Sequence, residues 1–213
     1  RQGVSFLLGS DTQETRRIGN VLYQLNETRK EIERSIFDSV EQLIENGTID
    51  LSKERCIFAA SDNWPPGVIG LVASRLVGKY GRPTFLFHLT KAGKAKGSCR
   101  SIPACNVFVL LEQNKELLDQ FGGHAMAAGL ALDKTKLGDL KRAFEEYLAE
   151  VLTPRDLQQT LVFDAGITMA DVNQKLLHDM QLFEPFGAQN SQPLFYMKHF
   201  LLLIRHNCLK GLM

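Results

Sequence analysis

The chain has 213 residues, 44% of them hydrophobic and 23% charged, with a formal net charge of +1. That balance belongs to an ordinary globular chain and excludes both a disordered polyelectrolyte and a protein that coats nucleic acid through a global basic field. No apolar run approaches the roughly 20 residues that span a bilayer, so no membrane partner is expected.

Residues 3–8, Gly-Val-Ser-Phe-Leu-Leu, are expected to be a strand, with residues 1–10 the last strand of a domain that the chain otherwise lacks. Residues 11–47 are expected to be a long connecting helix, capped by Ser10 or Asp11 and stopped at Asn46-Gly47. Its apolar residues, Ile18, Leu22, Leu25, Ile32, Ile36, Val40 and Leu43, recur by threes and fours and mark one face. Arg29 interrupts that stripe. A guanidinium on an inward face needs an acid or an anion, so it is either in an internal ion pair, snorkelled to the helix edge, or a phosphate ligand.

Residues 48–153 alternate in type: strand 56–60, helix 67–80, strand 84–88, a turn at Lys91-Ala92-Gly93, strand 94–100, helix 106–120, strand 125–132 and helix 136–152. Alternation of this kind predicts an α/β fold, a mixed sheet flanked by helices. Past Pro154 a strand at 161–164, a helix at 169–180, a turn at 185–190 and a strand begun at 193–204 are expected. Trp64 could stack on a base or ribose, but reads rather as a packing residue at the start of a helix. Cys56, Cys99, Cys105 and Cys208 lack Cys-x-x-Cys spacing and point to a reducing cytoplasm. The histidines at 88, 124, 178, 199 and 206 do not cluster with acids at zinc-ligand spacing, and no metal site is expected in this chain.

Three groups carry candidate chemistry. The first is Gly122-Gly123-His124, read as a Gly-rich turn whose peptide groups and imidazole cradle a phosphate; the alternative is a structural histidine. The second is Ser98, Arg100 and Ser101 after Gly97. In an extended segment Ser98 and Arg100 share a face, and a hydroxyl beside a guanidinium suits a phosphate; the alternative is a polar edge strand with Ser101 capping the next helix. Gly97 is read as leaving room for a ligand to approach the backbone. The third is the run Lys91, Lys94, Lys96 and Arg100, free of acids, which is either a nucleic-acid patch or a solvated hairpin.

Four blocks carry a resemblance when taken in order: Trp64-Pro65-Pro66-Gly67-Val68-Ile69-Gly70, Tyr80-Gly81-Arg82-Pro83-Thr84, Gly97-Ser98-Cys99-Arg100-Ser101-Ile102-Pro103, and Phe121-Gly122-Gly123-His124. The chain is similar, over about residues 12–195, to the C-terminal part of the RecJ-type DHH nucleases, bacterial exonucleases specific for single-stranded DNA. The resemblance implies a DHH-associated nucleic-acid-binding domain at 48–153 and the start of a truncated OB-type domain at 154–213. It also implies that residues 1–10 close a catalytic DHH domain absent from the chain. It puts Arg29, within Leu25-Asn26-Glu27-Thr28-Arg29, near the DNA, and makes Ser98, Arg100, Ser101, Gly122, Gly123 and His124 substrate-phosphate ligands. The implied partners are single-stranded DNA and the catalytic domain, whose aspartates and histidines would hold two Mn2+ or Mg2+ ions; no Asp-x-Asp or Asp-His-His cluster occurs here, and no catalytic residue is expected in this chain. The chain departs from the family at Pro65, where a histidine is usual, and at Ala104-Cys105, where Gly-Phe is usual. Rival readings are a non-catalytic orphan module, a DHH phosphodiesterase for short oligonucleotides or cyclic dinucleotides, and the related domain of alanyl-tRNA synthetases.

Overall fold

A computed structural model describes residues 2–9 and 11–198, which divide into two compact units, residues 1–159 and 160–213. The first unit is a mixed α/β layer structure, as the alternation predicts. Its helices and strands run α1 (Gln2–Leu8), α2 (Thr12–Glu45), β1 (Ile57–Ser61), α3 (Ile69–Tyr80), β2 (Thr84–Leu89), β3 (Lys94–Arg100), α4 (Val107–Gln113), β4 (Gln120–His124), β5 (Ala127–Asp133) and α5 (Leu137–Val151). The strands form one sheet in the order β1-β2-β3-β5-β4, with β1 and β2 parallel and every other pair antiparallel.

Two apolar layers hold the sheet. On one face Phe85 and Phe87 of β2 and Leu130 and Leu132 of β5 pack with Leu110 and Leu111 of α4 and Leu140, Phe144 and Leu148 of α5. Phe144 is fully buried, its ring 4.7 Å from that of Phe85, and truncating such a ring costs about 3–5 kcal/mol. On the other face Ile57, Ala59 and Leu86 pack under Val72 and Leu76 of α3 and under Ile36, Phe37 and Val40 of α2. Trp64 is buried in this second layer, where its position before α3 places it.

Helix α2 begins as expected, with the Asp11 carboxylate accepting from the amides of Gln13 at 2.8 Å and Glu14 at 3.1 Å. Its stripe is only half buried: Ile36 and Val40 are inside, whereas Leu25 is exposed. The expected strand at residues 3–8 is instead helix α1. A short apolar run has no period long enough to distinguish the two, and with no strand beside it the backbone satisfies its own hydrogen bonds as a helix. Phe6 of α1 lies over Gly19 of α2, where an added Cβ would come within 3.1 Å of the ring.

The expected helix 106–120 is also shorter. Asn106 caps α4 and Asn114 ends it, its amide donating to the Leu110 carbonyl at 2.8 Å; one 3-10 turn, Lys115–Leu117, follows before β4. In the second unit the expected helix 169–180 divides into a 3-10 turn, Met169–Asp171, and α6 (Gln174–Gln181). Thr168 and Asp171 close a capping box on the turn, and Asn173 caps α6 afresh, so polar side chains interrupt a run that apolar spacing alone would continue. Residues 161–164, expected to be a strand, are irregular; the strand is the short β6 (Ala165–Gly166) that follows them, and it pairs in parallel with β7 (Phe195–Tyr196). Gly187 and Asn190 exchange backbone hydrogen bonds in the expected turn. Residues 199–213 lie outside the described residues, and with them the rest of the expected strand, His199, His206 and Cys208. No helix among the described residues is long and apolar enough to cross a membrane.

Candidate nucleic-acid interface

Strand registers assemble the candidate residues. Across β3, β5 and β4, Arg100 stands opposite Ala127, and Ala127 opposite His124; Ser98 stands opposite Gly129, and Gly129 opposite Gly122; Lys96 stands opposite Ala131, and Ala131 opposite Gln120. Residues directly opposite in antiparallel strands project to the same side of the sheet, so these three rows share one face. Helix α3 covers that face over β2 and β3. Over β5 and β4 it is open: Gln120, Gly122, His124 and Gly129 are exposed. The result is a trough floored by glycine and alanine, with Lys96, Ser98 and Arg100 along one wall and Gln120 and His124 along the other. A recess of about 350 Å3 lies at its Lys96–Gln120 end.

Arg100 is held in place before any ligand arrives. Its Nε donates to the Ser74 hydroxyl of α3 at 3.1 Å, and its Nη1 donates to the Ser98 hydroxyl at 3.2 Å and to the Cys99 carbonyl at 2.7 Å. Ser74 in turn donates to the Gly70 carbonyl. Gly70 is what lets the helix pass so close: a Cβ there would stand 2.9 Å from Ser98 Oγ and 3.0 Å from Arg100 Nη2. All these acceptors are neutral, and among the described residues no carboxylate pairs with Arg100. Its Nη2 protons and the Ser98 hydroxyl proton remain available. A fixed guanidinium whose charge nothing neutralises is suited to an anion.

His124 sits at the end of β4, exposed, with its Nδ1 accepting from the Met126 amide at 3.3 Å. A backbone N–H only donates, so Nδ1 is the acceptor here and Nε2 is the ring nitrogen left to donate a hydrogen bond. Gly122 and Gly123 thus belong to a strand, and the turn that was expected at them falls at Ala125-Met126. The two glycines differ in purpose. Gly123 has φ +147°, and a Cβ on it would lie 2.3 Å from the Ala127 carbonyl oxygen, so the fold itself requires glycine. Gly122 has nothing within 4 Å of where its Cβ would be, and keeps the trough floor low.

Three expected residues lie elsewhere. Ser101 is buried, its hydroxyl donating to the Cys105 carbonyl at 2.7 Å and its amide to Met126 at 2.9 Å, so it fastens the loop after β3 rather than sharing the face of Ser98 and Arg100. The missing Cβ of Gly97 faces the core, where it would stand 2.5 Å from Leu130 and 2.6 Å from Phe87; its purpose is packing, not ligand access. Arg29 is away from the trough rows on α2, half-exposed and bound to Glu33 at 2.8 Å, with Asn26 accepting at 3.1 Å. The same Glu33 takes Arg75 of α3 at 3.2 Å, and Arg75 lies over the Phe37 ring at 4.4 Å. Gly70 and Ser74 have no sequence signal of their own; they enter the site because α3 packs over β3.

The chain is similar to known proteins over most of its length. The sequence matches the DHHA1 domain over residues 53–150 and the RecJ OB domain over residues 163–209. It is 34% identical over 208 residues to the single-stranded-DNA-specific exonuclease RecJ of Escherichia coli, covering 94% of this chain and 36% of that protein. With RecJ of Bacillus subtilis the identity is 31% over 191 residues, 89% of this chain and 24% of the relative. The chain therefore spans about a quarter to a third of the length of these relatives. The crystal structure of RecJ from Thermus thermophilus in complex with Mg2+ superposes with a TM-score of 0.79 at 27% identity, over 91% of this chain and 29% of that one.

Proposed function

This chain is a RecJ-type C-terminal region, DHHA1 domain and RecJ OB-domain sequence together, and from that premise we propose that it is the substrate-gripping part of a 5′→3′ exonuclease specific for single-stranded DNA, serving DNA repair and recombination. The observation that carries the reading is Arg100, half-exposed at the edge of the open face, anchored by three neutral acceptors and, among the described residues, lacking a carboxylate. In this reading Arg100 Nη2, the Ser98 hydroxyl and His124 Nε2–H donate to phosphate oxygens of the DNA near its 5′ end. Gly122 keeps the floor clear, and Gly123 and Ser101 fix the strand and loop that present those donors. Arg29 adds a further phosphate contact once it leaves Glu33.

Hydrolysis belongs to a catalytic DHH domain, the partner this part works beside. RecJ of Thermus thermophilus has been crystallised with Mg2+ and with Mn2+. Among the described residues no three His, Cys, Asp or Glu side chains group so as to hold such an ion. The described residues do not fit a metal. The reading assigns the ions to the catalytic domain and expects this chain, supplied with Mn2+, to leave a labelled oligonucleotide uncut; cleavage by the purified chain would overturn that assignment. Cys56, Cys99 and Cys105 are buried free thiols, in keeping with the cytoplasmic placement the reading carries.

The grip is tested by binding to a short single-stranded DNA bearing either a 5′-phosphate or a 5′-hydroxyl, at matched salt concentrations. The expected result is a preference for the phosphate that Arg100→Ala removes. Equal affinity for both ends in the unaltered chain would refute the 5′ anchor.

A further inference from the structure

The basic run of residues 91–100 is sorted by the fold. The Lys94 ammonium is taken by Asp119 at 2.8 Å, with Asp133 at 3.9 Å. Lys91 stands in the turn between β2 and β3. Lys96 is different: it is exposed on β3, shares the face of Ser98 and Arg100, and its side chain has no ion pair or hydrogen bond among the described residues. It lines the recess of about 350 Å3 together with Gln120, Gly122, Gly129 and Ala131.

We infer that Lys96, with the Gln120 amide across Ala131 from it, is a second contact point of the trough, taking a backbone phosphate further along the same strand of DNA. Lys96 and Arg100 are four residues apart on one strand, about 13 Å at roughly 3.3 Å per residue. One phosphate group does not engage both, so the pair selects a ligand with phosphates in series, an oligonucleotide rather than a mononucleotide. The register row between the two points, Ser98, Gly129 and Gly122, carries only one small hydroxyl side chain, and Phe121, which also lines the recess, belongs to the neighbouring row that faces the other side of the sheet, so the contacts fall on the sugar-phosphate backbone. Gln120 supplies a neutral donor and acceptor to the sugar-phosphate backbone seated in the recess.

This inference rests on the grip proposed above, and its test separates the two. Binding of a 5′-phosphorylated octathymidylate to the 213-residue chain is followed by fluorescence anisotropy across a salt series. Binding of thymidine 5′-phosphate is followed by NMR titration. Each ionic contact with single-stranded DNA contributes about 0.7 to the slope of log K against log salt. Lys96→Gln should therefore lower the octamer slope by about 0.7 and leave mononucleotide binding unchanged, whereas Arg100→Ala should weaken both. An octamer slope unaltered by Lys96→Gln but lowered by Arg100→Ala would overturn the second contact and keep the grip. No change with Arg100→Ala would overturn both.

Discussion

Adjacent glycines with opposite purposes give the sharpest test of the site. In Gly123→Ala the new methyl would meet the Ala127 carbonyl oxygen at 2.3 Å, the Ala128 Cα at 2.5 Å and the Ala128 Cβ at 2.8 Å. Ala128 is the register partner of Gly123, so the clash is with the backbone of the paired strand and is relieved only by opening β4 from β5. Backbone strain at φ +147° costs about 1–3 kcal/mol and overpacking about 1–3 more. For a chain of this size about 1 kcal/mol moves Tm by about 2–4 °C, so the variant should melt on the order of 10 °C lower. Gly122→Ala meets nothing within 4 Å and needs no left-handed backbone. By restricting the unfolded chain it should stabilise by about 0.4–1 kcal/mol. Its methyl stands on the trough floor beside Gly129, and should weaken binding of a 5′-phosphorylated oligonucleotide by up to about tenfold, or about 1.4 kcal/mol. Scanning calorimetry and anisotropy read the two effects separately. A Gly123→Ala chain melting with the unaltered protein would refute the register and close packing of β4. Unaltered DNA binding by Gly122→Ala would refute the assignment of the open floor to the ligand.

Glu33→Gln releases both Arg29 and Arg75, and should tighten DNA binding severalfold at low salt with a steeper salt dependence; unchanged affinity would count against Arg29 as a phosphate ligand. Glu145 on α5 accepts from the amides of Arg55 at 2.9 Å and Cys56 at 3.1 Å as well as from the Cys56 thiol, so Glu145→Gln, with one acceptor oxygen, should cost about 1–3 kcal/mol in urea unfolding. An unshifted midpoint would remove Glu145 as the tie between α5 and the start of β1. Asp50 is depressed to about 2, first by the Ser52 hydroxyl, then by Lys53 and the Ser52 amide. Its folded value lies below the unfolded value of about 3.9, so its stabilisation is whole above that pH and is lost as pH falls toward about 2. Asp50→Asn should accordingly flatten the acid limb of Tm against pH in that window, and superimposable limbs would refute the account.

What could be read from the chain beforehand follows the range of each interaction. The pairing of Ser98 with Arg100 on one face follows from a period of two, and the same rule turns Ser101 away, as its buried bond to the Cys105 carbonyl shows. The Arg29–Glu33 pair is four residues apart on one helix and lies within reach of sequence reasoning. Arg75 on the same carboxylate, Ser74 beneath Arg100 and Gly70 beside Ser98 depend on how α3 crosses the sheet, and no local pattern encodes that crossing. Gly122 and Gly123 look alike in sequence; only the strand register separates the one that the fold needs from the one that leaves space. The residues of α1 failed for a different reason, since an apolar heptapeptide takes its conformation from whatever lies beside it.

Helix α2 is also a mechanical part. It runs 34 residues without a break, about 51 Å at about 1.5 Å per residue, and its buried anchor of Ile36, Phe37 and Val40 lies in the C-terminal third. Some 24 residues, about 36 Å, project from Ile36 back to Thr12 as a stiff lever. A tilt of about 5° at the anchor sweeps the far end through about 3 Å, comparable with the length of a hydrogen bond. Arg75 and Lys79 of α3, clamped to Glu33 and Glu41 at the fulcrum, therefore set the direction in which that lever points.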